Sequence, residues 1–167
     1  MTGKSTPPRA SPLDQVMALR HYLFTDGPLR ATTREGYSDI RSSFIEPVIK
    51  GENGGLPITL AVIFQSIARR LNFKVDLIGH PGHFLVRFEN TFIDVFHGLT
   101  YTLGDLVDRL RAQGLPVLPQ FVNPGDDFLV LKRVEYETQC QRFGQCQFTC
   151  CSFESSQNRR TDVDKSV

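Results

Sequence analysis

Cysteine is missing from most of this chain. Cys140, Cys146, Cys150 and Cys151 all fall near its end, and no other cysteine precedes them. A secreted disulfide scaffold spreads its bridges through the core, so reduced thiols on a tail are expected. An excess of charge is also missing. Nineteen Lys and Arg against eighteen Asp and Glu leave a formal net charge of +1. Nucleic-acid binding calls for a strong basic surplus, and no nucleic-acid partner is expected. The longest apolar run, "LPITLAVIF" at 56–64, is half of the ~20 residues needed to cross a bilayer. No membrane partner is expected either. The opening "MTGKSTPPRASP" lacks the apolar stretch of a signal peptide. An intracellular, cytoplasmic protein is the resulting expectation. No internal repeat of useful length occurs.

What remains suits one domain. The chain has 167 residues, 40% hydrophobic and 22% charged, enough to bury a core. Residues 1–11 are polar and Pro-rich and read as a flexible leader. Ser11 followed by Pro12 marks a helix start, and "TDGP" at 25–28 marks its end. The segment 31–40 reads as a loop. Phe44, Ile45, Val48 and Ile49 form a stripe interrupted by Pro47, which predicts a short or kinked helix. "GENGG" at 51–55 reads as a flexible connection. From Pro57, the residues Leu60, Ala61, Phe64, Ile67, Ala68 and Leu71 make one helical face. Three strand-like runs follow at 73–79, 83–88 and 91–96. Thr102 with Asp105 predicts a capped helix to about Gln113. Residues 128–134 fit a strand or a helical turn. The domain is expected over 12–134, and 135–167 read as a disordered, cysteine-containing tail.

Chemistry concentrates in "HPGHFLVRFENTFIDVF" at 80–96. If 83–88 and 91–96 form a hairpin closed at Glu89-Asn90, Leu85 faces Asp94. His83 then lies on the same face as a diagonal neighbour of Asp94, within side-chain reach. Phe84, Val86, Phe88, Ile93 and Val95 occupy the opposite, core face. A carboxylate so placed can hold one imidazole nitrogen and leave the other free as a base. The same pair can equally be a hydrogen bond that only ties the hairpin together. A thiolate nucleophile is best placed at a helix N-terminus, where the dipole lowers its pKa. The helix at 57 opens with Leu56, Pro57, Ile58 and Thr59, with no Cys or Ser, and the Thr59 hydroxyl reads as a cap or solvated group.

No cofactor is expected. "GENGG" lacks the Lys-Ser/Thr of a phosphate loop. The four cysteines lack paired C-x2-C knuckles. His80, His83 and His97 have room to cluster at one end of the sheet, but a solvated His80 and His97 are the simpler expectation, and no metal is expected.

"GGLPITLAVIFQSIARRLNF" at 54–73 with "GHPGHFLVRFENTFIDVF" at 79–96 resembles the SirB-one branch of the transglutaminase-like superfamily, which also occurs in the middle of some F-box proteins. "GYSDIRSSF" at 36–44 resembles the segment upstream of that core. The resemblance implies an α+β, papain/transglutaminase-like core, with a central helix packed on an antiparallel sheet. In active members a Cys at the helix start attacks an acyl group, and His and Asp on successive strands activate it. His83 and Asp94 match those two positions. Pro57 stands at the Cys position, with no nucleophilic atom and no N–H for an oxyanion hole. Asn72 stands where a Gly is usual, and "DVFHGL" replaces a run closer to Asp-Pro-Phe with two glycines. The resemblance implies a non-catalytic transglutaminase-like module that binds a protein or peptide in a groove near Pro57, His83 and Asp94. Two alternatives stand beside it. One is the substrate-binding part of an F-box-type ubiquitin-ligase adaptor. The other is a thiol-dependent acyltransferase or peptidase using a tail cysteine.

Overall fold

A computed structural model describes residues 10–123, except Gly82. Most of the leader, the 128–134 segment, the tail and all four cysteines lie outside the described residues, as does the expected boundary at 134. The first helix, α1, spans Pro12–His21. Ser11 and Asp14 close a reciprocal capping box at its start. A π-helical turn, Tyr22–Asp26, then prolongs it to Gly27. The expected loop at 31–40 contains one short 3-10 turn, Glu35–Ser38, and leads into a second, Ile40–Ser43. Pro47 limits α2 to one short helix, Ile45–Ile49.

"GENGG" is pinned rather than free. Gly55 donates its N–H to the Arg30 carbonyl, and its own carbonyl accepts from Thr32. A Cβ on Gly54 would stand 2.6 Å from the Thr32 Cα. Glycine is required there because two backbones touch.

The central helix α3 runs Pro57–Arg70. Leu60, Ala61, Phe64 and Ala68 are wholly buried along one face. Gln65 is a buried polar residue of this helix, and its amide donates to the Val75 carbonyl at 2.9 Å, which satisfies a buried polar group. The helix ends in a Schellman motif, with Phe73 N–H on the Ala68 carbonyl and Asn72 N–H on the Arg69 carbonyl. Asn72 holds φ +63°. Asn is among the few residues that tolerate the left-handed region, so it fills a position that glycine usually takes.

Strands β1 (Asp76–His80), β2 (His83–Phe88), β3 (Thr91–Asp94) and β4 (Leu99–Tyr101) form one antiparallel sheet in chain order. The first starts three residues later than expected, and the third ends two residues sooner, at Asp94. The short β4 carries no hydrophobic alternation of its own and is set by pairing with β3. The β2–β3 register pairs Phe88 with Thr91, Arg87 with Phe92 and Val86 with Ile93, as the Glu89-Asn90 hairpin predicts.

Both faces of the sheet are covered. Leu77, Phe84, Val86, Phe88, Ile93 and Val95 join α3 in the main core. Ile78, Leu85 and Phe92 meet Leu106 of the last helix, α4 (Leu103–Ala112). Thr102 and Asp105 form the expected capping box at its start, and Gln113 caps its end. Helices with a four-stranded antiparallel sheet make this an α+β fold with the architecture of a transglutaminase-like core.

Phe64, with no exposure, packs 6.1 Å from Phe24 between α3 and the turn after α1. Phe64→Ala is expected to lower the unfolding free energy by ~3–5 kcal/mol. Thr102→Ala, which removes only a cap, should lower it by ~1 kcal/mol. Urea unfolding followed by circular dichroism measures both, and equal losses would contradict this packing.

Candidate functional site

The pleat sends His80, His83 and Asp94 to the α4 side of the sheet, at the same end. His80 and His83 pair directly across β1 and β2. His83 Nε2 lies 2.8 Å from Asp94 Oδ1, so the diagonal neighbours do meet. The side chains of the pair are almost wholly out of solvent, at 6% and 0% exposed.

Asp94 does more than face one imidazole. The chain leaves β3 in a turn closed by the Gly98 N–H on the Asp94 carbonyl, with Gly98 at φ +79°. Inside that turn, the N–H groups of Phe96 and His97 both donate to Asp94 Oδ1 at 2.9 Å. His97 Nδ1 lies 2.8 Å from Oδ2. Burial by itself pushes the Asp94 carboxyl up. Hydrogen bonds from His83 and His97, the positive charge on His83 when protonated and the backbone N–H outweigh it, holding the carboxyl well below the usual carboxylate range.

His97 was therefore missed as a partner of Asp94. The residue is exposed, as expected, but its side chain, 31% exposed, is tied to the carboxylate. The signal is Asp followed three residues later by His and then Gly, the pattern of a carboxylate capping its own turn. His80 also departs from expectation. It is 4% exposed, and its Nδ1 lies 3.0 Å from the Pro81 carbonyl. Burial pushes its imidazole down; the Pro81 carbonyl opposes this and the Arg109 charge adds to it.

Pro57 occupies the first turn of α3, buried with Ile58 and Thr59. The Thr59 hydroxyl donates to the Ser42 carbonyl at 3.0 Å, and the Leu56 N–H donates to the same oxygen at 3.1 Å. Thr59 therefore has a structural partner. Phe96 links the two regions. It stands edge-on to His83, ring centroids 6.1 Å apart, and lies equally far from Tyr37 in the segment that contains Ser42. The hollow lined by Ser11, Gln15, Phe73, Lys74 and Phe88 is at the far end of β2 from His83, about 16 Å along the strand.

The sequence profile of the transglutaminase-like superfamily matches residues 2–135. The chain belongs to the transglutaminase-like superfamily. It is also similar to a UPF0162 protein from Xylella fastidiosa strain Temecula1 and to its counterpart from strain 9a5c. Each is 40% identical over 131 residues, covering 72% of this chain and 46% of the relative. The chain thus spans about half the length of these relatives. No solved structure matches it. Among the described residues, no helix is long and apolar enough to cross a membrane.

The site holds a carboxylate and an imidazole in contact on successive strands. The described residues at the start of α3 offer no thiol or free hydroxyl to work with them. Asp94→Ala is expected to lower the unfolding free energy by ~3–5 kcal/mol, because it strips a buried site of its counter-charge. His97→Ala, at the rim, should cost ~1 kcal/mol or less. The Asp94 contribution is complete above its unfolded pKa of ~3.9 and is lost as pH falls through the lower folded value. Urea midpoints of wild type and Asp94→Ala should therefore converge only in strong acid.

His80 has the opposite chemistry. A base whose folded pKa lies below its unfolded value of 6.5 binds more protons unfolded, so stability falls as pH drops through that value. His80→Gln should remove this component. The difference in urea midpoint between wild type and variant is expected to shrink from pH ~7.5 to ~5.5, and a constant difference would contradict a neutral buried His80.

Proposed function

We propose that this chain is a non-catalytic transglutaminase-like module, of the SirB-one type, that binds a protein or peptide. The observation that carries this reading is Pro57 at the first helical position of α3. Cysteine chemistry in this fold needs a thiolate there and an N–H to hold the developing oxyanion, and proline supplies neither. The retained His83–Asp94 contact supports descent from a catalytic arrangement.

The space between α3 and the sheet is filled by core side chains, so we place the partner surface beside the helix start. Phe44, Ile45 and Ile49 are 48%, 46% and 51% exposed. Val48 of the same helix lies against Gly55 next to Leu60, which sets this apolar edge at the start of α3. Contiguous exposed apolar side chains favour protein contact. The cysteine-free core supports an intracellular setting.

A second reading rests on the resemblance to F-box proteins: the substrate-binding part of a ubiquitin-ligase adaptor. Co-purification with a Skp-type partner supports it, and failure to co-purify counts against it.

The purified chain is expected to show no acyl transfer or amide hydrolysis on a broad panel of glutamine and peptide substrates. Turnover that His83→Ala abolishes would overturn the proposal. Rapid iodoacetamide labelling at about pH 6, where an ordinary thiol hardly reacts, would instead favour a thiol enzyme drawing on Cys140, Cys146, Cys150 or Cys151.

A further inference from the structure

One carboxylate gathers two imidazole nitrogens at a single point. His83 Nε2 and His97 Nδ1 each stand 2.8 Å from a different oxygen of Asp94. One ligand atom from each of the three residues can be chosen so that all lie within 4.8 Å of one another. We propose that His83, Asp94 and His97 form a binding site for a divalent transition-metal ion of the zinc class.

The donor set selects the metal. Two imidazole nitrogens and one carboxylate oxygen suit zinc and its first-row neighbours, whereas calcium and magnesium take oxygen ligands. Three protein ligands with one position left for water is the pattern of an open zinc site. With bonds of ~2.0–2.1 Å in tetrahedral geometry, neighbouring ligand atoms around the ion stand about 3.3 Å apart. The two nitrogen–oxygen separations, 2.8 Å each, are near this value, and with all three ligand atoms within 4.8 Å binding draws the two nitrogens together.

The surroundings favour the same assignment. The Phe96 and His97 amides hold the Asp94 carboxylate from behind, the kind of outer hydrogen bond that orients a metal ligand. Phe96 walls one side of His83. His97 is the most exposed of the three, so an ion enters past it and water completes the coordination. Binding requires a lone pair on each nitrogen that faces Asp94. The proton there moves to the other ring nitrogen or, from an imidazolium, to solvent.

Thiolates as a class are zinc ligands, so the test uses the full chain with Cys140, Cys146, Cys150 and Cys151 each replaced by Ser. After stripping with a chelator, cobalt(II) alone is titrated and its visible d–d absorption followed, with zinc chloride calorimetry in parallel. One ion per chain is expected. His97→Ala, checked for folding by circular dichroism, should weaken binding by at least ~10-fold. His21→Ala, on an exposed histidine of α1 paired with Asp26, should leave it unchanged. No saturable binding, or binding that survives His97→Ala intact, would overturn the site. The readout needs no peptide, partner or acyl substrate, so it stands or falls separately from the proposed function.

Discussion

A negative charge with no exposure sits at the end of β3, and the local structure is arranged around it. Burial alone would favour a neutral Asp94. Hydrogen bonds from two imidazoles and two backbone amides keep it ionised. These donors come from different levels of structure. His83 arrives through the β2–β3 register, and the amides of Phe96 and His97 arrive through the turn that Gly98 closes. A one-residue slip of β3 would turn Asp94 into the α3 core and Ile93 out of it. The charge therefore penalises misregistration more strongly than an apolar residue would.

A second polar anchor lies at Ser42, which is wholly buried. Its carbonyl takes the Leu56 amide and the Thr59 hydroxyl, and its own hydroxyl reaches the Gly36 carbonyl at 3.0 Å. The irregular 36–43 segment thereby clamps the start of α3. Tyr37 from this segment meets Phe96, and Phe96 meets His83. The start of α3 and the His–Asp–His group are joined by two ring contacts and need no direct bond between them.

Much of this was legible because it depends on short-range rules. Pro57 opening α3, the Thr102–Asp105 cap and the Glu89-Asn90 hairpin follow from local chemistry. The His83–Asp94 meeting follows from the period of two once the hairpin is placed. What escaped depends on partners distant in sequence or on turn geometry. The order in "GENGG" comes from Arg30 and Thr32, more than twenty residues earlier. β4 exists because β3 offers it an edge. His97 looked solvated because a period-two reading stops at the strand end, whereas its nitrogen is aimed by the turn that follows. The leading and trailing segments and all four cysteines lie outside the described residues.

Fold and chemistry separate at α3. Proline at the first helical position loses nothing structurally, because the amide it lacks has no partner inside a helix. A proline there offers neither a nucleophilic atom nor an N–H to hold an oxyanion. A buried ion pair is different, since well-packed apolar residues of similar volume often serve stability as well or better. Stability therefore accounts for Pro57 and Leu60 without accounting for His83, Asp94 and His97. What the polar trio contributes beyond packing is strand register and a fixed set of nitrogen and oxygen donors with one side toward solvent. Register needs only His83 and Asp94. The half-exposed His97 adds little to register, and its place on the free carboxylate oxygen is what makes the trio a set of ligands.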